Sequence, residues 1–224
     1  MSEAGAITGR LLTRIDEGNS AVAFPAIWCE QPTCPDPAVV RAFPPDPDIV
    51  QPHPQADALV SACGAIIVHG GSGAYYSPVS DRIHMPDADR FYGTNAAQRA
   101  LHWYATLFHE LIHWTSHPQR LDRRREAHGR RHSIANCDDE LEELVAEIGS
   151  VILLTELGIA DEPPAHALRC IRDHADMLER CVDYAMTRCG DIESMRRNLK
   201  SYYSLETAAQ RAEEAVSYLR GLQS

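Results

Sequence analysis

The sequence lacks what a membrane protein, a secreted domain or a phosphate-binding protein would need. Its longest aliphatic runs, Ala65 to Val68 and Val151 to Leu154, fall far short of the roughly 20 apolar residues that span a bilayer, so no membrane segment is expected. Met1 to Gly5 carry neither the basic nor the apolar stretch of a signal peptide, and a cytoplasmic protein is expected. Cysteine is sparse and unpaired: the seven residues (29, 34, 63, 137, 170, 181 and 189) form an odd, scattered set that suits free thiols better than disulfides. Cys29 and Cys34 have metal-pair spacing but no second pair to complete a site. Positive charge is in deficit, with a net charge of −11, which disfavours broad binding to a phosphate backbone. Gly70-Gly71-Ser72-Gly73 is not followed by Gly-Lys-Ser/Thr, so it reads as a turn and not a phosphate loop. There is no internal repeat.

What is present is one sizeable core's worth of chain: 224 residues, 44% of them hydrophobic. Ile7 to Glu17 reads as a short helix, with Leu11, Leu12 and Ile15 on one face. Nine of the fourteen prolines then crowd between Pro25 and Pro54, a density that excludes helix and central strand. These features divide the chain into an N-terminal helix and proline-rich arm, 1–55, and a folded domain, 56–224. In the latter a short helix, Ala56 to Cys63, precedes a strand, Ala65 to Val68. A hairpin follows, from Ala74-Tyr75-Tyr76 to Arg82-Ile83-His84-Met85, and Pro86 closes it. Thr94 or Asn95 can cap the next helix, which Pro118 stops. A second strong helix runs from Glu140 to Leu157, capped by Asp138 or Asp139 and stopped by Gly158. Ala165 to Arg188 and Ile192 to Leu219 read as amphipathic helices. The fold class is α+β: a small sheet on one helix, then a helical C-terminal half.

The helix after the hairpin carries His109-Glu110-Leu111-Ile112-His113, an H-E-x-x-H motif. Residues four apart share a helix face about 6 Å apart along the axis, so both imidazoles can converge on one divalent ion. Glu110 projects beside them and is the candidate general base for a water that a zinc site acidifies to a pKa of roughly 7. The i, i+3, i+4 recurrence of Leu101, Tyr104, Ala105, Phe108, Leu111 and Ile112 marks a core-facing helix, the context this short motif requires.

A catalytic zinc site typically takes three protein ligands. His117 lies about 12 Å along the helix from His109, too far to share its ion. The extension H-E-x-x-H-x-x-G-x-x-H fails, with Ser116 at the glycine position and Gln119 at the last histidine. The third ligand is therefore sought on the acidic helix. Glu143, Glu147 and Ser150 form a stripe at i, i+4, i+7, the arrangement of a gluzincin ligand helix. There Glu143 is the ligand and Glu147 supports the ligands by hydrogen bonding. A helical wheel alone leaves Glu140 and Glu147 open as ligands, because both lie nearer the apolar face.

Several runs together resemble the zincin-like metallopeptidase domain of ArdC/TraC-type antirestriction proteins of mobile elements. They are Ala74 to Pro78, Asp81 to Pro86, Thr106 to Thr115, Arg120 to Arg123 and Glu142 to Glu147, and the resemblance covers about residues 56 to 220. It implies a zincin-like fold and a zinc metallopeptidase acting on a protein or peptide. Ile7 to Gly18 resembles the opening helix of that family's single-stranded-DNA-binding domain. The remainder of that domain is not recognisable, which leaves at most a weak single-stranded-DNA contact. In the zincin architecture the strand nearest the metal is an edge strand, which places Arg82, Ile83 and His84 as substrate-binding residues by strand addition. Six arginines between Arg120 and Arg131 are candidates for a basic rim on the cleft. The competing reading is a non-hydrolytic, metal-containing protein that binds DNA or restriction-system proteins.

Overall fold

The computed structural model describes residues 3–16, 45–123, 135–188 and 193–223. The proline-rich segment up to Pro44, Cys29, Cys34, and Arg124, Arg125, Arg130 and Arg131 lie outside them. The described residues form seven α-helices around a three-stranded sheet, an α+β, mostly helical fold. In chain order these are α1 (Glu3–Asp16), α2 (Pro54–Cys63), β1 (Ile66–His69), β2 (Tyr75–Ser77), β3 (Arg82–Met85), α3 (Ala96–Thr115), α4 (Ala135–Glu156), α5 (Ala165–Arg188), α6 (Glu193–Tyr202) and α7 (Leu205–Gly221).

The sheet order is β1-β3-β2. β3 pairs parallel with β1, Ile67 against Ile83, and antiparallel with β2, Tyr76 against Ile83. The free-edge position expected of Arg82, Ile83 and His84 is therefore not theirs. The return from β1 places β3 between two partners, and β2 is left at the edge. The β2–β3 turn holds Asp81 at φ 51°, a left-handed conformation that Asp tolerates better than most residues. Asp81 accepts hydrogen bonds from Tyr76 Oη at 2.8 Å and from the Arg120 guanidinium. That guanidinium lies 3.8 Å over the Trp114 ring. The hairpin is thus tied to the chain just beyond α3.

Asn95 caps α3, its side chain accepting from the Gln98 N–H at 2.9 Å. α3 is almost wholly core: Trp103, Tyr104, Leu107, Phe108, Leu111 and Ile112 are fully buried. α4 starts at Ala135, upstream of the expected Glu140, so Asp138 and Asp139 sit inside the helix instead of capping it. Burial of Cys137 gives the added turn a packing reason to form, and Asp138 accepts from Tyr203 Oη at 2.7 Å. Gly158, at φ 71°, ends the helix in the left-handed conformation.

α3 and α4 approach closely at Gly149, where an added Cβ would come within 2.8 Å of the Ile112 side chain. At the next residue, Ser150 Oγ donates to the Ala105 carbonyl at 2.8 Å. These contacts fix the register in which the acidic stripe of α4 faces the histidines of α3. The expected helix from Ile192 to Leu219 is two helices. Tyr203 turns into the core, and Ser204 caps α7 by accepting from the Thr207 N–H at 3.2 Å. α1 buries Ile7, Leu11 and Ile15 in the same apolar cluster as α4, α5 and α7.

Candidate metal centre

α3 presents His109 and His113 toward Glu143 of α4. The two Nε2 atoms are 3.1 Å apart. Glu143 Oε2 lies 3.3 Å from His109 Nε2, and its Oε1 lies 3.6 Å from His113 Nε2. Donor atoms each about 2.1 Å from one ion at a tetrahedral angle stand roughly 3.4 Å from each other, and the nearest Glu143 oxygen to each ring lies close to that separation. The tautomers agree. His109 Nδ1 faces Glu147 Oε1 and His113 Nδ1 faces Glu142 Oε1, both at 3.4 Å. Carboxylates on both Nδ1 atoms hold the hydrogens there and leave two Nε2 lone pairs aimed at one point beside a third donor. Such a donor set fits a divalent cation, and among the described residues this is the one cluster of three such donors.

The electrostatics also favour positive charge. Burial acts to keep His109 and His113 neutral. For His109 it is outweighed by Glu143 and Glu147, which push its pKa well above the usual histidine value. For His113 it is outweighed chiefly by Glu142 and Glu143. Burial acts to raise Glu143, yet hydrogen bonds to both histidines hold it far below the usual carboxylate range. Glu110, buried at 6% exposure, is raised by desolvation, which the neighbouring histidines and a main-chain hydrogen bond from Tyr76 partly offset. A buried carboxylate with a raised pKa has the basicity that proton abstraction needs.

The site opens into a cavity of about 470 Å³, whose walls include Glu110, Tyr75, Tyr76, His166 and Cys170. Tyr75 and Tyr76 belong to the edge strand β2. Arg82 and Ile83 do not line the cavity; His84 stacks its ring on Tyr75 with centroids 4.3 Å apart. Glu140, open as a ligand in the sequence, turns to α5 and pairs with His174 Nδ1 at 2.7 Å. Sequence reasoning missed the partner of His113, which is Glu142 and not a member of the i, i+4, i+7 stripe. Nor is Arg123 on an exposed rim. It is 5% exposed and forks onto Glu142, Nε to Oε2 at 3.0 Å and Nη2 to Oε1 at 2.6 Å. Burial acts to raise Glu142, but the Arg123 charge and the His113 hydrogen bond bring it down to about 2. His166 and Cys170 were missed because nothing in the sequence links the first turns of α5 to the motif.

Residues 54–180 match a family described as zincin-like metallopeptidase. The chain is homologous to the DNA primase TraC of Escherichia coli, being 43% identical to one form over 114 residues, or 50% of this chain and 10% of that protein. A second Escherichia coli TraC is 39% identical over 114 residues, 50% of this chain and 7% of that one. The uncharacterized protein y4eC of Sinorhizobium fredii is 27% identical over 170 residues, 76% of this chain and 45% of y4eC. The chain thus spans less than half the length of these curated relatives. The crystal structure of the Mn(II)-bound antirestriction ArdC protein from the R388 plasmid aligns with a TM-score of 0.48 at 29% identity, over 80% of this chain and 55% of that one. With its motif helix, facing glutamates and matched span of 54–180, the chain belongs to the zincin-like metallopeptidases.

Proposed function

We propose that this chain is a zinc-dependent peptide hydrolase, with His109, His113 and Glu143 as metal ligands and Glu110 as general base. The observation that carries the reading is a buried Glu110 of raised basicity on the wall of the cavity into which the two Nε2 lone pairs converge. A divalent ion held there would polarise a scissile carbonyl and acidify a water. As the water oxygen adds to the carbonyl, Glu110 would accept its proton, and would pass it to the amine that leaves when the C–N bond breaks. Its main-chain bond from Tyr76 fixes the carboxylate against β2. The edge of β2 offers its backbone to an extended peptide, which takes over the role expected of Arg82, Ile83 and His84. Glu147 holds His109 in the tautomer that leaves Nε2 free.

No described helix is long and apolar enough to cross a membrane. The four described cysteines are free thiols, which supports action in the cytoplasm. The TraC relatives are named DNA primases, which favours as a second reading a metal-containing protein that binds DNA or DNA-associated proteins without hydrolysis. Incubating the metal-loaded wild type and Glu110→Gln with a mixed peptide library, read by mass spectrometry, separates the two. Cleavage by the wild type alone supports hydrolysis, and no cleavage by either supports the binding protein.

A further inference from the structure

We infer that Arg123 and Glu142 form a positioning pair that fixes the orientation and tautomer of His113, and thereby sets how tightly the centre holds its ion. The inference rests on the metal-site reading above and goes beyond it by assigning a role to two residues outside the donor set. Glu142 is next to Glu143 in the chain, yet the two carboxylates serve different faces of the same imidazole. Glu143 lies at Nε2 and Glu142 at Nδ1. What separates them is Arg123. Its guanidinium engages both oxygens of Glu142, donates to Thr115 Oγ1 at 2.6 Å, and donates to the Ile112 carbonyl at 2.8 Å. Ile112, His113 and Thr115 lie in the last turn of α3, Arg123 follows that helix, and Glu142 lies on α4. One side chain therefore ties the end of the histidine helix to the acidic helix and presents a single carboxylate oxygen to Nδ1.

A fork of this kind is specific to arginine, since lysine is a point donor and cannot grip both oxygens while reaching a carbonyl. The two histidines are supported unequally. Nδ1 of His109 faces Glu147, whereas the acceptor for His113 is clamped from behind by a buried cation. His113 is thus the more rigidly set of the two. Partners of metal-bound imidazoles typically contribute 10–100-fold in affinity.

The test uses the full chain. Zinc and manganese affinities are measured by calorimetry against a competing chelator, alongside thermal melts, for three proteins: wild type, Glu142→Asp and the double variant Arg123→Gln, Glu142→Gln. Glu142→Asp keeps the charge beside Arg123 but withdraws the acceptor from His113. The double variant removes both buried charges together, so neither is left unpaired. The expected result is about a 10–100-fold loss of metal affinity in both variants, at a melting temperature near that of the wild type. In metal-loaded protein with labelled histidine, nitrogen NMR should show loss of the protected Nδ1–H signal of His113, with that of His109 retained. Wild-type affinity in either folded variant, or an affinity that merely follows the melting temperature, would overturn the inference. A wild type that binds neither ion would instead sink the metal-site reading, so the two failures are distinguishable.

Discussion

At the scale of single residues, the centre gives each carboxylate one task. Glu143 faces both Nε2 atoms, Glu147 and Glu142 face the Nδ1 atoms, and Glu140 is turned away to His174. Elemental analysis should therefore find metal lost from Glu143→Ala and retained in Glu140→Ala. The reverse result would move the ligand one turn of helix. Glu110→Gln should keep the metal and the fold but slow peptide cleavage by about 10²–10⁴, because an amide cannot accept the proton. Undiminished turnover would show that another group is the base. The helical wheel left Glu140 and Glu147 open beside Glu143, but the shared face of the motif histidines was readable, because helix periodicity fixes which residues lie together. The partner of His113 was not, because adjacent residues on a helix point about 100° apart and only the position of a second helix decides which of them meets the ring.

At the scale of elements, the α3–α4 approach and the β2–β3 hairpin locate the site. In Gly149→Ala the new methyl meets Ile112, within the motif itself. Overpacking of this kind costs about 1–3 kcal/mol and outweighs the gain of about 1 kcal/mol from alanine in a helix. Because Glu143 and Glu147 ride on α4, the variant should lose both stability and metal affinity in denaturant and zinc titrations. A variant indistinguishable from wild type would show that the helices separate freely. The hairpin tie predicts an acid-side effect. Burial acts to raise Asp81, but Arg120 and Tyr76 together bring its pKa below the usual value. A depressed carboxyl contributes stability that is present above its unfolded pKa and lost as pH falls through the folded one. Asp81→Asn, which tolerates the same left-handed turn, should flatten that acid-side loss, as read from melts between neutral and acid pH. An unchanged slope would mean that the tie adds nothing.

Most elements were legible from their punctuation: Asn95, Pro86, Pro118 and Gly158 each mark a boundary at or near the observed one. Strand order was not, since pairing β3 with β1 is a long-range choice that leaves no trace in the alternation of Arg82 to Met85. The break at Tyr203-Ser204 was also hidden, because amphipathic periodicity continues on both sides.

At the scale of the whole molecule, a bound ion couples the two central helices, α3 and α4, and so should appear in global stability. Free metal at a hundred times its Kd adds about 2.7 kcal/mol. For a chain of this size that is roughly 5–10 °C in Tm, lost on addition of a chelator. No shift in wild type, or the same shift in a His109→Ala, His113→Ala double variant, would show that the ion binds elsewhere.

The insertion of α1 into the core matters for how separable the matched span is from the rest of the chain. The matched span ends at residues 54 and 180, yet Ile7, Leu11, Ile15, Tyr203, Val216 and Leu219 from outside it are buried in the same cluster. The span that the family model matches is therefore a chemical kernel, narrower than the body that keeps it dry. A recombination event that transplanted residues 54–180 alone would carry the whole donor set but expose the greasy backs of α4 and α5. A graft of that kind would need a new apolar cover over those two helices before it could keep its donor set in place.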